Sequence, residues 1–366
     1  MDFTYDEDLV AVRDLAREIF TDRATTDRVR EVEGSATHLD EELWQHLASA
    51  GLLGLALPES YGGAGLDLAA LCVVLEEQGR TVAPVPLWSA GVASLAVASF
   101  GTPALRDALL AGAADGSLRI TLALEEFDGA APAAPRCAAT RAVDRFRLTG
   151  TKAVVPSPCG ASHVLVSATG PSGPGLFLVP AEGDGISWEQ TETTTHDLAG
   201  HLTLTDADAE QIGDGETLAA VLRLAAVALA AVQVGVADGA LRLAAEYLST
   251  REQFGRPLAT FQSAQHQLAD CWIDIDAMRV TLWQALASLG EPDAARAALV
   301  AKWWCDQAGL DVVHRVQHLH GGIGVDVDYP VHRNFLWGKQ IASTLGGSAA
   351  ALADLGAVLA REGVAS

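Results

Sequence analysis

Arg251 stands at the end of a long helical pattern, and the segment from Arg251 to Gln262 reads REQFGRPLATFQ. A guanidinium is a planar fork of charge-assisted donors and suits a pyrophosphate. The same position at a helix C-terminus also suits an ordinary ion pair or the helix dipole. Phe254 precedes Gly255, which permits a sharp exit from the helix. Further on, Gly321 and Gly322 follow His320, and two glycines let a backbone approach a ligand closely. His314, His318 and His320 invite a zinc reading, because histidines at i and i+4 share one helix face. No Cys or Glu stands at the matching spacing, so capping or ligand contact is expected and a metal is not. Between Glu216 and Asp238 there is no carboxylate at all, so that stretch holds no acidic side chain able to take a proton.

The elements that must position these residues fall into three blocks. Over the first block, Glu7–Phe20, Asp40–Ala50 and Leu66–Arg80 carry apolar residues at helical spacing. The Pro- and Gly-rich text LPESYGGAGLD (Leu57 to Asp67) breaks two of these helices apart. Near Ser117 the text changes to short runs, among them RITLALEE, RFRLTGTKAVV, SHVLVSA, GLFLVPA and HLTLTDA. Turn residues bound each run, which predicts a small antiparallel sheet or barrel, with Gly129 to Pro135 as loop. From Glu216 long helices return: Glu216–Thr250, Ser263–Leu289, Asp293–Leu319, Val331–Ser343 and a tail helix after Gly347. Their short connections predict a four-helix bundle. The expectation is an α+β, mostly helical chain divided at 1–117, 118–213 and 214–366. A length of 366 residues accommodates that many sub-domains.

The chain carries a formal net charge of −23. Such a field repels phosphate backbones and anionic membrane surfaces, so neither nucleic acid nor membrane is an expected partner. A polyanionic ligand would need a local positive patch. Five scattered cysteines without CxxC spacing point to reduced thiols and a cytoplasmic protein. The acidic start, MDFTYDEDL, has no apolar signal-like core. The longest apolar stretch, Leu224 to Val236, contains Gln233 and is expected to be too short for a bilayer span.

Two longer motifs, YLSTREQFGRPLATFQSAQHQLAD (Tyr247 to Asp270) and LHGGIGVDVDYPVH (Leu319 to His332), resemble the C-terminal domain of the acyl-CoA dehydrogenases. The Pro-Glu-x-x-Gly-Gly of the N-terminal breaker resembles the same family. The resemblance covers nearly the whole chain and implies a helical N-terminal domain, a middle β-barrel or sheet domain and a C-terminal bundle. It implies FAD, with Arg251, Phe254, Leu258 and Gln262 at the ADP part, beside Gly321 and Gly322, on a flavin whose ring lies in the neighbouring subunit. His318 stands where the family usually has Gln. The family's catalytic glutamate sits in a Tyr-Glu-Gly-Thr turn, which here reads Thr344, Leu345, Gly346, Gly347. Its alternative place on the first bundle helix aligns near Ala225. Neither residue can be a base, although Glu246 or Asp328 could have taken over. The family's flavin-ring loop corresponds to Leu122–Pro132 without its Gly-Ser-Asp. Its Trp-Ile-Thr strand corresponds to Lys152–Pro156, with Val154 for the Trp and Pro156 for the hydroxyl residue.

The tail HGGIGVDVDYPVHRNFLWGKQIASTLGGS is similar to the non-catalytic, beta-type subunit of the actinobacterial α2β2 dehydrogenases of steroid side-chain CoA thioesters. That resemblance implies a catalytic partner subunit, an acyl-CoA substrate and an electron-transfer flavoprotein or similar acceptor. Two alternatives stand beside it. One is an autonomous homotetrameric flavoenzyme with a relocated base, and the other a non-enzymatic scaffold that binds acyl-CoA or a partner.

Overall fold

The computed structural model describes residues 5–143 and 145–363. Six helices come first: α1 (Glu7–Arg23), α2 (Thr26–Glu33), α3 (Glu41–Ser49), α4 (Leu68–Thr81), α5 (Leu87–Phe100) and α6 (Pro103–Ala114). Seven strands follow: β1 (Ile120–Ala123), β2 (Ala138–Ala142), β3 (Arg145–Pro156), β4 (His163–Gly170), β5 (Gly173–Pro180), β6 (Ile186–Glu192) and β7 (Leu198–Gly213). The chain then enters α7 (Gly215–Thr250) and a tight hairpin of β8 (Glu252–Gln253) and β9 (Arg256–Pro257). It ends in α8 (Gln262–Ala287), α9 (Ala294–His320), α10 (Val331–Ser343) and α11 (Gly347–Glu362).

These elements divide into two compact units. The first holds residues 1–29, 72–83 and 226–366, and the second holds 30–71 and 84–225. In the second unit the sheet closes on itself. Strand β4 pairs with β5 along one edge and with β1 and then β2 along the other, while β3 and β7 complete the circuit. Its interior is small and aliphatic, with Val164, Val166, Phe177, Val179, Leu202 and Leu204 turned inward at alternate positions. The sheet is mixed, because β4 runs parallel to β1 and β2, where sequence patterning suggests antiparallel pairing throughout. Strands β2 and β6 escape that patterning, since AATRA and ISWEQTE are largely solvent-facing and show no apolar run. Helix α5 escapes it for the opposite reason. It is apolar on every side and mostly buried, so it carries no helical period. The Pro-Gly breaker is a close-packed turn in which a Cβ on Gly63 would lie 2.1 Å from the Leu57 carbonyl oxygen.

In the first unit, α7 to α10 pack as the expected bundle. Glycines let backbones touch. A Cβ on Gly235 would meet the Glu76 carbonyl oxygen at 2.0 Å, which seats α7 directly on α4. Gln233 does not interrupt the apolar run of α7 as its polarity suggests. It is fully buried and donates to the Gly338 carbonyl at 3.3 Å. By length and composition α7 is therefore apolar enough to cross a membrane, and 67% of its most apolar window is buried inside this fold.

Candidate functional site

The end of α7 carries the first motif. The Arg251 N–H closes the helix on the Tyr247 carbonyl at 2.8 Å, and the Arg251 carbonyl accepts from Leu258 N at 2.8 Å. Backbone bonds thus hold Arg251 while its side chain stays exposed. Among the described residues its guanidinium makes no hydrogen bond or ion pair, so a helix-end salt bridge does not account for it. Phe254 and Gly255 form the two-residue loop of the β8–β9 hairpin with φ of 54° and 79°. Two positive φ values in such a loop define a type I′ turn, whose first position favours Asn or Asp. An aromatic residue is strained there, and Phe254 is also 92% exposed. Leu258 is half-buried beneath the hairpin, and Gln262 opens α8 with its side chain exposed.

The second motif ends α9. Gly321 caps it with φ 63°, its N–H bonded to the His318 carbonyl. A Cβ on Gly322 would meet nothing within 4 Å, so no crowding inside this chain requires glycine there. His318 is exposed on the last turn, whereas His320 is buried. The His320 ring stacks on Tyr247 at 4.9 Å and lies 5.3 Å from Tyr329, while Nδ1 donates to the Val316 carbonyl at 2.8 Å. Burial pushes its pKa down. Of the three sequence histidines, His320 is therefore a packing residue, and its stack joins the end of α7 to the glycine turn. His314 instead packs edge-on against Phe335. Among the described residues no group of three or more His, Cys, Asp or Glu could hold a metal ion.

These features fit the diphosphate end of a dinucleotide. They offer a free guanidinium, a strained exposed aromatic ring and a glycine backbone open to close approach. In the second unit, the two segments expected to meet a flavin ring are taken up internally. Glu126 accepts from Arg136 N at 2.8 Å, Cys137 N at 3.0 Å and Lys152 Nζ at 2.6 Å. Lys152, fully buried, also donates to Ser167 Oγ at 2.9 Å. The charged lysine holds the Glu126 carboxyl below its usual range against the opposing pull of burial. Val154 sits at φ 48° on a bulge, and its N–H donates to His201 Nδ1 at 3.1 Å. Pro156 has no N–H to offer, and its carbonyl accepts from Thr121 Oγ1 at 2.5 Å. Nothing in the spacing of Glu126 and Lys152 reveals their pairing, because it depends on how the sheet closes.

Comparisons with known proteins match the same architecture. Residues 6–117 match the acyl-CoA dehydrogenase N-terminal domain, and residues 213–358 match the acyl-CoA dehydrogenase C-terminal domain. Acyl-CoA dehydrogenase FadE27 of Mycobacterium tuberculosis is 36% identical over 98% of this chain and 99% of its own length. The chain belongs to the acyl-CoA dehydrogenase family. Among solved structures, the Tcur3481–Tcur3483 steroid ACAD is 61% identical, with a TM-score of 0.95 over 97% of this chain and 98% of its own. The ChsE4–ChsE5 complex of Mycobacterium tuberculosis is 35% identical, with a TM-score of 0.95 over the full length of both chains.

Leu345 and Ala225 stand where the resemblance implies a base. Leu345 lies between α10 and α11 at φ 58°, ψ 36°, so an aliphatic side chain sits in a left-handed turn. Ala225 is fully buried in α7. Glu246 is exposed on the last turns of α7, where it lines an open cleft of about 280 Å³ with Arg242 and Asn334. Asp328 is exposed in the turn before α10, with its own N–H bonded to Asp326 Oδ1 at 3.0 Å.

Proposed function

We propose that this chain is the non-catalytic subunit of a heteromeric, FAD-dependent acyl-CoA dehydrogenase, and that it completes the flavin site of a catalytic partner. The observation that carries the reading is an asymmetry. The diphosphate-side residues Arg251, Phe254, Gln262, Gly321 and Gly322 are exposed, with Leu258 half-buried beside them and His318 on the adjoining turn. The ring-side segments are meanwhile closed on themselves, and Leu345 replaces the base. FAD bound there would accept the hydride that leaves Cβ of the acyl chain. The partner's carboxylate would remove the α-proton. This chain would bind and orient the ADP moiety.

The likeness to proteins described as a two-component steroid ACAD and as a ChsE4–ChsE5 complex supports a partner subunit and an α2β2 assembly. It also supports a steroid side-chain CoA thioester as the substrate class. Five free cysteines, four of them buried, support a reducing, cytoplasmic setting. Membership of the acyl-CoA dehydrogenase family supports an electron-transfer flavoprotein or similar acceptor. The test is flavin stoichiometry. Purified alone, the chain should carry little or no FAD, and co-purified with its catalytic subunit it should give one flavin per heterodimer. A yellow, stoichiometrically loaded assembly of this chain alone would overturn the reading.

A further inference from the structure

The segment from Arg251 to Gln262 contains a second arginine, Arg256, and a second ring, Phe261, to which the site described above gives no part. Arg256 follows the loop of the β8–β9 hairpin and pairs with Gln253 across the ladder, while Glu252 pairs with Pro257. The bond from Leu258 N to the Arg251 carbonyl adds the next rung. Residues opposite each other in a ladder share a face, and successive residues alternate between faces. Arg251, Gln253, Arg256 and Leu258 therefore stand on one face of the hairpin. Glu252, the only carboxylate between Arg251 and Gln262, stands on the other. Arg251 and Arg256 are diagonal neighbours, a relation that sets Cα atoms about 7–8 Å apart. Two guanidiniums at that spacing can close on the two phosphates of one diphosphate.

The Arg256 guanidinium lies over the Phe261 ring, with Cζ 4.1 Å from the centroid. Phe261 is half-buried just before α8, and Phe254 meets its ring edge-on at 6.1 Å. Stacking engages the flat face of a guanidinium and leaves its N–H donors, which point outward in the plane, unengaged. Among the described residues the Arg256 guanidinium makes no hydrogen bond or ion pair, and the residue is exposed. A long side chain held flat before its ligand arrives loses less conformational freedom on binding.

We propose that Arg256, held flat by Phe261, is a second binding residue for the FAD diphosphate, taking one phosphate while Arg251 takes the other. This rests on the functional reading above and extends it to a further pair of residues. FAD titration of the assembled complex tests it. Arg256→Ala should weaken FAD binding roughly tenfold or more, as expected for one charge-assisted hydrogen bond. Its melting temperature should change little, because no internal hydrogen bond is removed. Phe261→Leu should weaken FAD binding by less, and should add nothing in the Arg256→Ala background, since the ring acts through the guanidinium. CoA carries a diphosphate of its own and serves as a second probe, whose affinity should stay the same in both variants. Unchanged FAD affinity in Arg256→Ala, or a loss confined to CoA, would overturn the inference and leave the functional reading standing. An equal cost of Phe261→Leu in both backgrounds would overturn the part assigned to the ring. A wild-type complex that takes up no FAD would sink the functional reading, and this inference with it.

Discussion

Arg242, Arg279 and Arg315 of the bundle each hold a carboxylate, whereas Arg251 holds none among the described residues. That difference makes Arg251 a clean probe. Arg251→Ala removes no internal bond, so its melting temperature should match wild type. Loss of a charge-assisted hydrogen bond to a phosphate costs ~1.5–3 kcal/mol, or roughly 10–150-fold in FAD affinity of the assembled complex. Arg251→Lys should recover only part, because an ammonium lacks the planar fork. Flavin titration measures both, and an unchanged affinity in the Ala variant would remove Arg251 from the site. The motif residues were legible because REQFG and HGG are local, and each residue's neighbours in sequence are its neighbours in space. What stayed hidden was division of labour within a motif. Nothing in the text separates buried His320, stacked on Tyr247, from exposed His318 two residues earlier.

At the scale of elements, the long helices of the bundle were readable to within two residues, whereas α2, α5 and α6 correspond to no predicted span. Val331–Ser343 matches α10, and Glu216–Thr250 begins one residue inside α7. The closed sheet was less so, because its pairings join strands far apart in sequence and its outer strands carry polar text. The Lys152–Glu126 pair belongs to this class, fixing the loop before β2 to the barrel interior. Side-chain exposures of 0% and 7% make it a buried ion pair. Breaking such a pair from one side typically costs about 3–5 kcal/mol, because the remaining charge stays buried and unpaired. Lys152→Met should therefore lower the melting temperature sharply, and adding Glu126→Gln should restore much of it. Because the folded-state pKa of Glu126 is depressed, its contribution is present above the unfolded pKa. It is lost as pH falls through the folded value. Acid melts of wild type should show that loss, and the double variant should lack it. A single variant as stable as wild type would mean that the barrel does not depend on the pair.

The whole molecule pairs a net charge of −23 with an exposed arginine at its most family-like motif, so the proposed FAD diphosphate would be drawn to a local positive group against the global field. Catalysis is a property of the assembly in this reading. Loss of a general base lowers a rate by ~10²–10⁴-fold, and here the ring-side donors are lost as well. The isolated chain, given any acyl-CoA and an artificial electron acceptor, should show no turnover above background. Leu345→Glu in this chain should not create it. The segment that corresponds to the family's ring-binding strand would still offer no donor, because Val154 N is bonded to His201 and Pro156 has no N–H. In the complex, turnover should vanish when the catalytic subunit loses its own carboxylate, and it should survive Glu246→Gln in this chain. Turnover by the isolated chain that disappears on Glu246→Gln would establish the relocated base instead. It would make the exposed end of α7, rather than a partner subunit, the place where the α-proton goes.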